Sequence, residues 1–343
     1  MVSLQEETLV GNTDDSLATF LVEALSERLG NITITNLFRL TGGANRETWS
    51  FDTVDTDENI TELILQLDRA GLDRLIGTCA KESQILKKAA KWKVPVAAVV
   101  ISSDVPNPLG RSFTVTHRIQ GETIARKILR DKEWEIARSK LVTNCATALA
   151  AIHAIPEEEL EELALVKVTD SLTSLVEIYD ALCDPHPTFD LAIRWLEANR
   201  PEPLKSCLVH GDFRLGNLLI DEDGLRAVLD WEIAHLGDPA EDLGWMCVRA
   251  WRFGGIGKVA GLDEYEDFIN AYEKSSGTRV PLKTLLWWEI FGTLRWGVIC
   301  LQMGGDFRAG RTTSIEMATI GRRVAENEYD LLSALKEQLY EHA

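Results

Sequence analysis

Two β-prone runs, residues 32–40 and 48–51, open the regular patterning of the chain, and residues 63–69 and 112–121 (SFTVTHRIQG) follow as further strands. Between them residues 74–91 carry a helical pattern, and after Gly121 a Glu-Thr pair reads as the cap of another helical stretch. Two short apolar runs, 218–220 and 227–229, are separated by Asp221-Glu222-Asp223-Gly224 and predict a β-hairpin with an acidic, glycine-containing turn. Asp238 then acts as a cap, with Pro239 at the first helical position and Glu241 at the third, so a helix should run from Pro239 toward Trp251. The most hydrophobic later stretch, 282–303, is interrupted by Lys283, Glu289 and Arg295, charges that are costly in a bilayer and fit a buried helix instead. Residues 314–328 and 329–340 predict two last helices, which either close the larger domain or mediate a dimer. The pattern is α/β in the α+β sense: a mostly antiparallel sheet from about Asn12 to Ile119, then a mainly helical region over residues 120–343.

The polar residues around the hairpin carry the chemistry. Residues 208–243 read LVHGDFRLGNLLIDEDGLRAVLDWEIAHLGDPAEDL, with Asp212 two residues after His210, Asn217 five beyond Asp212, and Asp230 thirteen beyond Asn217. That is the spacing of the catalytic base and the two magnesium ligands in kinase-type phosphoryl transfer. Transfer of a γ-phosphoryl group passes through a loose, charge-rich transition state, so the protein chiefly orients the acceptor hydroxyl and holds Mg²⁺ against the phosphates. Asp212 would accept or orient the acceptor proton, while the Asn217 amide and the Asp230 carboxylate offer the hard oxygens Mg²⁺ prefers. A strand rises about 3.3 Å per residue, so two short antiparallel strands return the chain near its start and bring Asn217 and Asp230 together. His210 reads as a residue that pins the loop backbone, and Glu232 either approaches the metal or faces solvent.

HGD-x4-N followed by DWE and GDP-x2-DL resembles the aminoglycoside phosphotransferase and choline kinase-like superfamily, from about Leu40 to the C-terminus. The Trp-rich segments after Leu243 look like a bacterial branch whose substrates are mostly unassigned. The resemblance implies a bilobal protein kinase-like fold with ATP or GTP held in the cleft, and it gives Asp242 a role in hydrogen-bonding the catalytic-loop backbone. Gly42 and Gly43, between two strands, would let a nucleotide-covering loop approach phosphates. At Gln66 relatives place a phosphate-contacting Lys or Arg, and Glu82 matches the helix Glu that would pair with that cation; spacing alone puts neither Arg69 nor Lys81 in its place. Residues 116–119 form the expected hinge, where backbone groups bind adenine and His117 is a pocket candidate by position.

The remaining composition narrows the function. A net charge of −18 repels nucleic-acid backbones and disfavours such partners. The six cysteines lack CxxC spacing and read as reduced, buried thiols, with no zinc implied. The N-terminus does not resemble a secretory signal, so a cytoplasmic enzyme is expected, with no membrane partner. Acidic stretches 157–162 and 263–267 read as solvated helix faces. Glu289 and Arg295, six residues apart and hence on different helix faces, either line the acceptor pocket with Arg249, Trp251 and Arg252 or form internal salt bridges. The expected activity is Mg²⁺- and ATP-dependent phosphorylation of a small molecule's hydroxyl group. The alternative is a pseudokinase that senses nucleotide or binds a partner.

Overall fold

Leu17, Leu21 and Leu25 recur every fourth residue of α1 (Thr13–Leu29), which puts them on one helix face and buries them against the sheet that follows. The computed structural model describes residues 13–40, 46–69 and 77–340. The sheet comprises β1 (Ile32–Leu40), β2 (Arg46–Asp55), β3 (Ile60–Asp68), β4 (Val99–Ser103) and β5 (Phe113–His117), ordered β1-β2-β3-β5-β4 with every pair antiparallel. Side chains alternate between the two faces of a strand. Leu63, Leu65 and Leu67 therefore share the α1 core with Phe51, Phe113 and Val115, whereas Gln66 faces the opposite side with its cross-strand partners Thr48 and Thr114. On that side α2 (Cys79–Lys91) is tied to the strands by polar bonds: Thr114 Oγ1 donates to the Cys79 carbonyl (2.7 Å), and the Ala80 N–H donates to Ser112 Oγ (3.0 Å). The 74–91 helix is thus seen from Cys79 onward, its expected start falling outside the described residues.

Two compact units are present. One gathers the chain up to Lys87 with Ala97–Ile119, and the other gathers Lys88–Val96 with Gln120 onward. The second contains α3 (Ala125–Arg130), α4 (Glu135–His153), α5 (Ser171–Leu182), α6 (Pro187–Ala198), β6 (Cys207–Val209), β7 (Leu218–Asp221), β8 (Gly224–Val228) and β9 (His235–Gly237). Four further helices complete it, α7 (Ala240–Cys247), α8 (Tyr265–Ser276), α9 (Leu282–Arg308) and α10 (Ile315–Gly321), before the last, α11 (Val324–Tyr340). Its core is built on α9: Trp287, Trp288, Phe291, Leu294 and Val298 pack with Leu172 and Leu175 of α5, Phe189 and Leu196 of α6, and Leu331 and Leu335 of α11. The Trp287 indole is satisfied by the Leu196 carbonyl at 2.9 Å. Among the described residues no helix is long and apolar enough to cross a membrane.

Several expected boundaries shift for identifiable reasons. The helix expected to reach Trp251 stops at Cys247, because the Arg252 guanidinium donates to the Cys247 carbonyl through Nε (3.1 Å) and Nη2 (3.0 Å), satisfying a helix-terminal acceptor; a 3₁₀ turn, Arg249–Arg252, follows. The break between the two last helices falls after Gly321 rather than at residue 328, where glycine has the lowest helix preference after proline. The acidic residues 157–162 lie in two 3₁₀ turns, with Glu159 paired to Lys91 and Glu162 to Lys88. All six cysteines are free thiols; five are buried and Cys183 is exposed.

The contact of α7 with α9 depends on Gly244. A Cβ there would lie 2.4 Å from Trp288 Cβ and 2.5 Å from the Trp288 carbonyl carbon, so backbone would have to move. Gly244→Ala should lower stability by about 1–3 kcal/mol, as overpacking in a dense core does. Denaturant unfolding is the check, and an unchanged midpoint would show that the two helices separate without cost.

Candidate active site

β6 leads the chain into His210-Gly211-Asp212, a turn that only glycine fits at its centre. Gly211 has φ +84°, and a Cβ would meet the Ile233 carbonyl oxygen at 3.0 Å. The turn is held from three directions. Asp242, buried in the first turn of α7, accepts the His210 N–H through Oδ2 (2.8 Å) and the Gly211 N–H through Oδ1 (2.9 Å). Burial works against its charge, but the His153 imidazole (Nε2 to Oδ2, 3.1 Å) and the donated N–H bonds outweigh that and hold its pKa below the usual aspartate value. The Arg295 guanidinium donates to the Gly211 carbonyl and to Glu241 Oε1, both at 3.1 Å, while lying 4.8 Å over the Trp245 ring.

His210 pins the other end of the loop. Its Nδ1 accepts the Asp212 N–H (3.2 Å) and its Nε2 donates to the Leu229 carbonyl (3.0 Å), which requires a neutral ring protonated at Nε2. Complete burial lowers its pKa, overcoming the attraction of Asp242 and Asp212. The ring packs on Trp231 with centroids 4.7 Å apart.

The predicted hairpin is β7–β8, with Asp221 Oδ1 accepting the Asp223 and Gly224 N–H groups across its turn. At its open end the Leu229 N–H donates to the Asn217 carbonyl at 2.9 Å, so Asp230 emerges beside Asn217. Asp230 has φ +64°, a left-handed backbone uncommon outside glycine. Asn217 Nδ2 donates to Asp212 Oδ2 (2.6 Å) and to the Asp212 carbonyl (3.0 Å). With its nitrogen so engaged, the carbonyl oxygen of the amide is the atom that could hold a cation. Asp212 Oδ1 also accepts from Trp245 Nε1 (2.7 Å) and from Arg214 Nε (2.9 Å), and the Arg214 guanidinium lies 4.8 Å over the Trp251 ring.

Asp212, Asn217 and Asp230 are therefore gathered at one loop end. Arg214 and Trp245 escaped sequence reasoning: Arg214 stands two residues from Asp212, a signal available in the chain, whereas Trp245 is thirty-three residues away and has none. Of the proposed acceptor-pocket set, Arg295 and Trp251 reach this neighbourhood through Gly211 and Arg214. Glu289 closes an internal cluster instead, accepting from Arg252 Nη2 and Tyr265 Oη, each at 2.7 Å, and burial pushes its pKa up to about 7. Arg249 pairs with Asp330 at 3.3 Å.

In the first unit Gln66 is half-buried on β3, and Glu82 forms a buried ion pair with Arg46 of β2. His117 is exposed at the end of β5; its N–H donates to the Ala98 carbonyl (2.9 Å) and that of Arg118 to the Glu62 carbonyl (3.0 Å). Gly42 and Gly43 lie outside the described residues. Among the described residues no three His, Cys, Asp or Glu side chains gather as a metal cluster. One carboxylate plus one amide oxygen is a donor set that suits Mg²⁺, which keeps several waters and takes phosphate oxygens.

The sequence matches the phosphotransferase enzyme family over residues 39–279, well over half of the chain. Acyl-CoA dehydrogenase family member 10 of Mus musculus is 28% identical over 210 residues, covering 56% of this chain and 20% of that protein. The matches span about a fifth to a third of the length of the curated relatives that head the comparison. Among solved structures, the GDP complex of aminoglycoside 2'-phosphotransferase-IIIa superposes with a TM-score of 0.63 at 17% identity, covering 91% of this chain and 99% of that one. A ternary complex of aminoglycoside phosphotransferase APH(4)-Ia with AMP-PNP and hygromycin B gives 0.58 at 17% identity, covering 93% and 98%. At such identities the superpositions establish the kinase-like phosphotransferase fold alone. Fold and sequence meet on the same residues, since the matched span contains the whole loop system from His210 to Asp242: this chain belongs to the phosphotransferase enzyme family.

Proposed function

We propose that the protein transfers the γ-phosphoryl group of ATP, or of GTP, to a hydroxyl group of a small molecule. The observation that carries the reading is the triply braced turn that fixes Asp212 against the Asn217 amide at 2.6 Å, with Asp230 set beside it by the Leu229–Asn217 backbone bond. Asp212 orients the acceptor hydroxyl and takes its proton as the bond to phosphorus forms. Trp245 and Arg214 hold that carboxylate in one orientation, which reduces the conformational freedom lost when the acceptor arrives. Asn217 and Asp230 would hold Mg²⁺, whose charge offsets that of the phosphates. The first-unit residues Gly42, Gly43, Gln66, Glu82 and His117 are assigned to the nucleotide on the strength of their sequence positions. Complexes of the structural neighbours with GDP and AMP-PNP support a nucleotide in this role, and the one with hygromycin B supports a hydroxyl-bearing small-molecule acceptor.

Calorimetric titration of ATP and GTP, with and without Mg²⁺, tests the proposal. Wild-type protein should bind nucleotide more tightly with Mg²⁺, and Asp230→Ala should lose that Mg²⁺-dependent gain. Wild-type protein that binds neither nucleotide would refute it, and tight binding without turnover across a broad acceptor screen would favour the pseudokinase alternative.

A further inference from the structure

The nucleotide reading leaves a gap at Gln66, whose neutral amide stands where a phosphate-contacting cation is expected. We infer that Arg46 supplies this missing cation: its guanidinium contacts the nucleotide phosphates while paired with Glu82. The inference rests on the nucleotide reading and specifies the residue that serves it.

The strand register makes the exchange geometrically reasonable. Thr48 is the cross-strand partner of Gln66, and Arg46 that of Asp68. Residues two apart on a strand, and residues paired across strands, project to the same face. Arg46, Thr48, Gln66 and Asp68 therefore share the face on which α2 is tied, and Arg46 is one diagonal step from the vacated cation position. Arg46 is buried, yet its Nη2 donates to the Gly77 carbonyl (3.1 Å), its Nε lies 3.8 Å from Asp68 Oδ1, and its Nη1 pairs with Glu82. Glu82 is itself buried and would be expensive to hold as a charge without that partner. In kinase-type sites the helix Glu engages the phosphate-binding cation, and Arg46 engages Glu82 here. Arginine suits the task, since it carries five N–H donors and its planar fork fits phosphate oxygens. Arg46 also immediately follows residues 41–45, which contain Gly42 and Gly43, so the chain places it next in order after the expected phosphate-covering loop.

A purely structural Arg46 would tie β2 to α2 and nothing more, and ligand dependence separates the two roles. Affinities of wild type and Arg46→Gln are measured by calorimetry for Mg·ATP and for adenosine, which has no phosphate. The expected result is an Mg·ATP affinity about 10- to 100-fold weaker in the variant, in line with loss of a hydrogen bond to a charged group, and an unchanged adenosine affinity. Introducing Gln66→Arg into the Arg46→Gln protein should restore part of the Mg·ATP loss. An equal effect on both ligands, or none on either, overturns the inference. If Arg46→Gln does not fold, Arg46→Lys carries the comparison: it keeps the charge but loses the fork, and its loss should again be confined to Mg·ATP. Wild-type protein that binds no nucleotide defeats the proposed function and this inference together, whereas wild-type binding with an unselective variant defeats the inference alone.

Discussion

Asp212→Asn should lower kcat for phosphoryl transfer by about 10²- to 10⁴-fold, the range typical of removing a positioned general base. Asparagine keeps the size of the side chain and one acceptor oxygen for Trp245 Nε1 and Arg214 Nε, but it cannot take up a proton and it turns an N–H group toward the Asn217 amide or the guanidinium. The Asp242, Arg295 and His210 braces bond to the backbone of the turn and do not pass through the Asp212 carboxylate, so the fold should survive. Turnover is measured with an acceptor from the screen or as ATP hydrolysis, beside a nucleotide titration. A variant with undiminished kcat would remove Asp212 from the chemistry. A variant that loses nucleotide binding in proportion to kcat would make it a binding residue instead.

The largest effect on stability is expected at Asp242. Asp242→Ala removes the acceptor of two buried backbone N–H groups and of the His153 imidazole, and breaking a buried charged network of this kind costs about 3–5 kcal/mol. Urea unfolding should show that loss with little change in slope, together with loss of activity as the His210–Asp212 turn is released. The effect should also depend on pH. Because its folded-state pKa lies below the ordinary aspartate value of 3.8, the stabilisation is fully present above that value and disappears as pH falls through the lower folded pKa. The gap between wild type and variant should therefore hold from neutral pH down to about pH 5 and close at more acidic pH. A gap that is constant into strong acid would mean that the carboxylate charge contributes nothing and only shape matters.

These expectations share one structural reason. Asp212 is positioned by groups from several elements: the turn after β6, the hairpin base, α7 and α9. Loss of Asp242 or Gly244 should thus affect catalysis through position, whereas loss of Asp212 should affect chemistry without position.

The division between what the chain alone determined and what tertiary structure decided follows the range of each interaction. The first strand, residues 32–40, was read to its ends, and the hairpin nearly so, because period-two patterning and turn chemistry act between neighbours in sequence. That Asp212, Asn217 and Asp230 lie near one another was legible for the same reason, since they fall within eighteen positions of loop and hairpin, while α7 and α9 decide how Asp212 is held. The resemblance gave Asp242 hydrogen bonds to the loop backbone, and the fold adds which N–H groups it takes, those of His210 and Gly211, and its His153 partner. The partners that cross long stretches were not legible. Arg46 reaches Glu82, Trp245 reaches Asp212, His153 reaches Asp242 over 89 residues, and Glu289 finds Arg252 and Tyr265 rather than the acceptor site. A buried charge or indole N–H demands a partner, and the sequence shows that demand, but which group meets it is set by packing of helices and strands. Chain pattern thus determined which polar groups meet at the loop and hairpin, and tertiary packing determined how each is held.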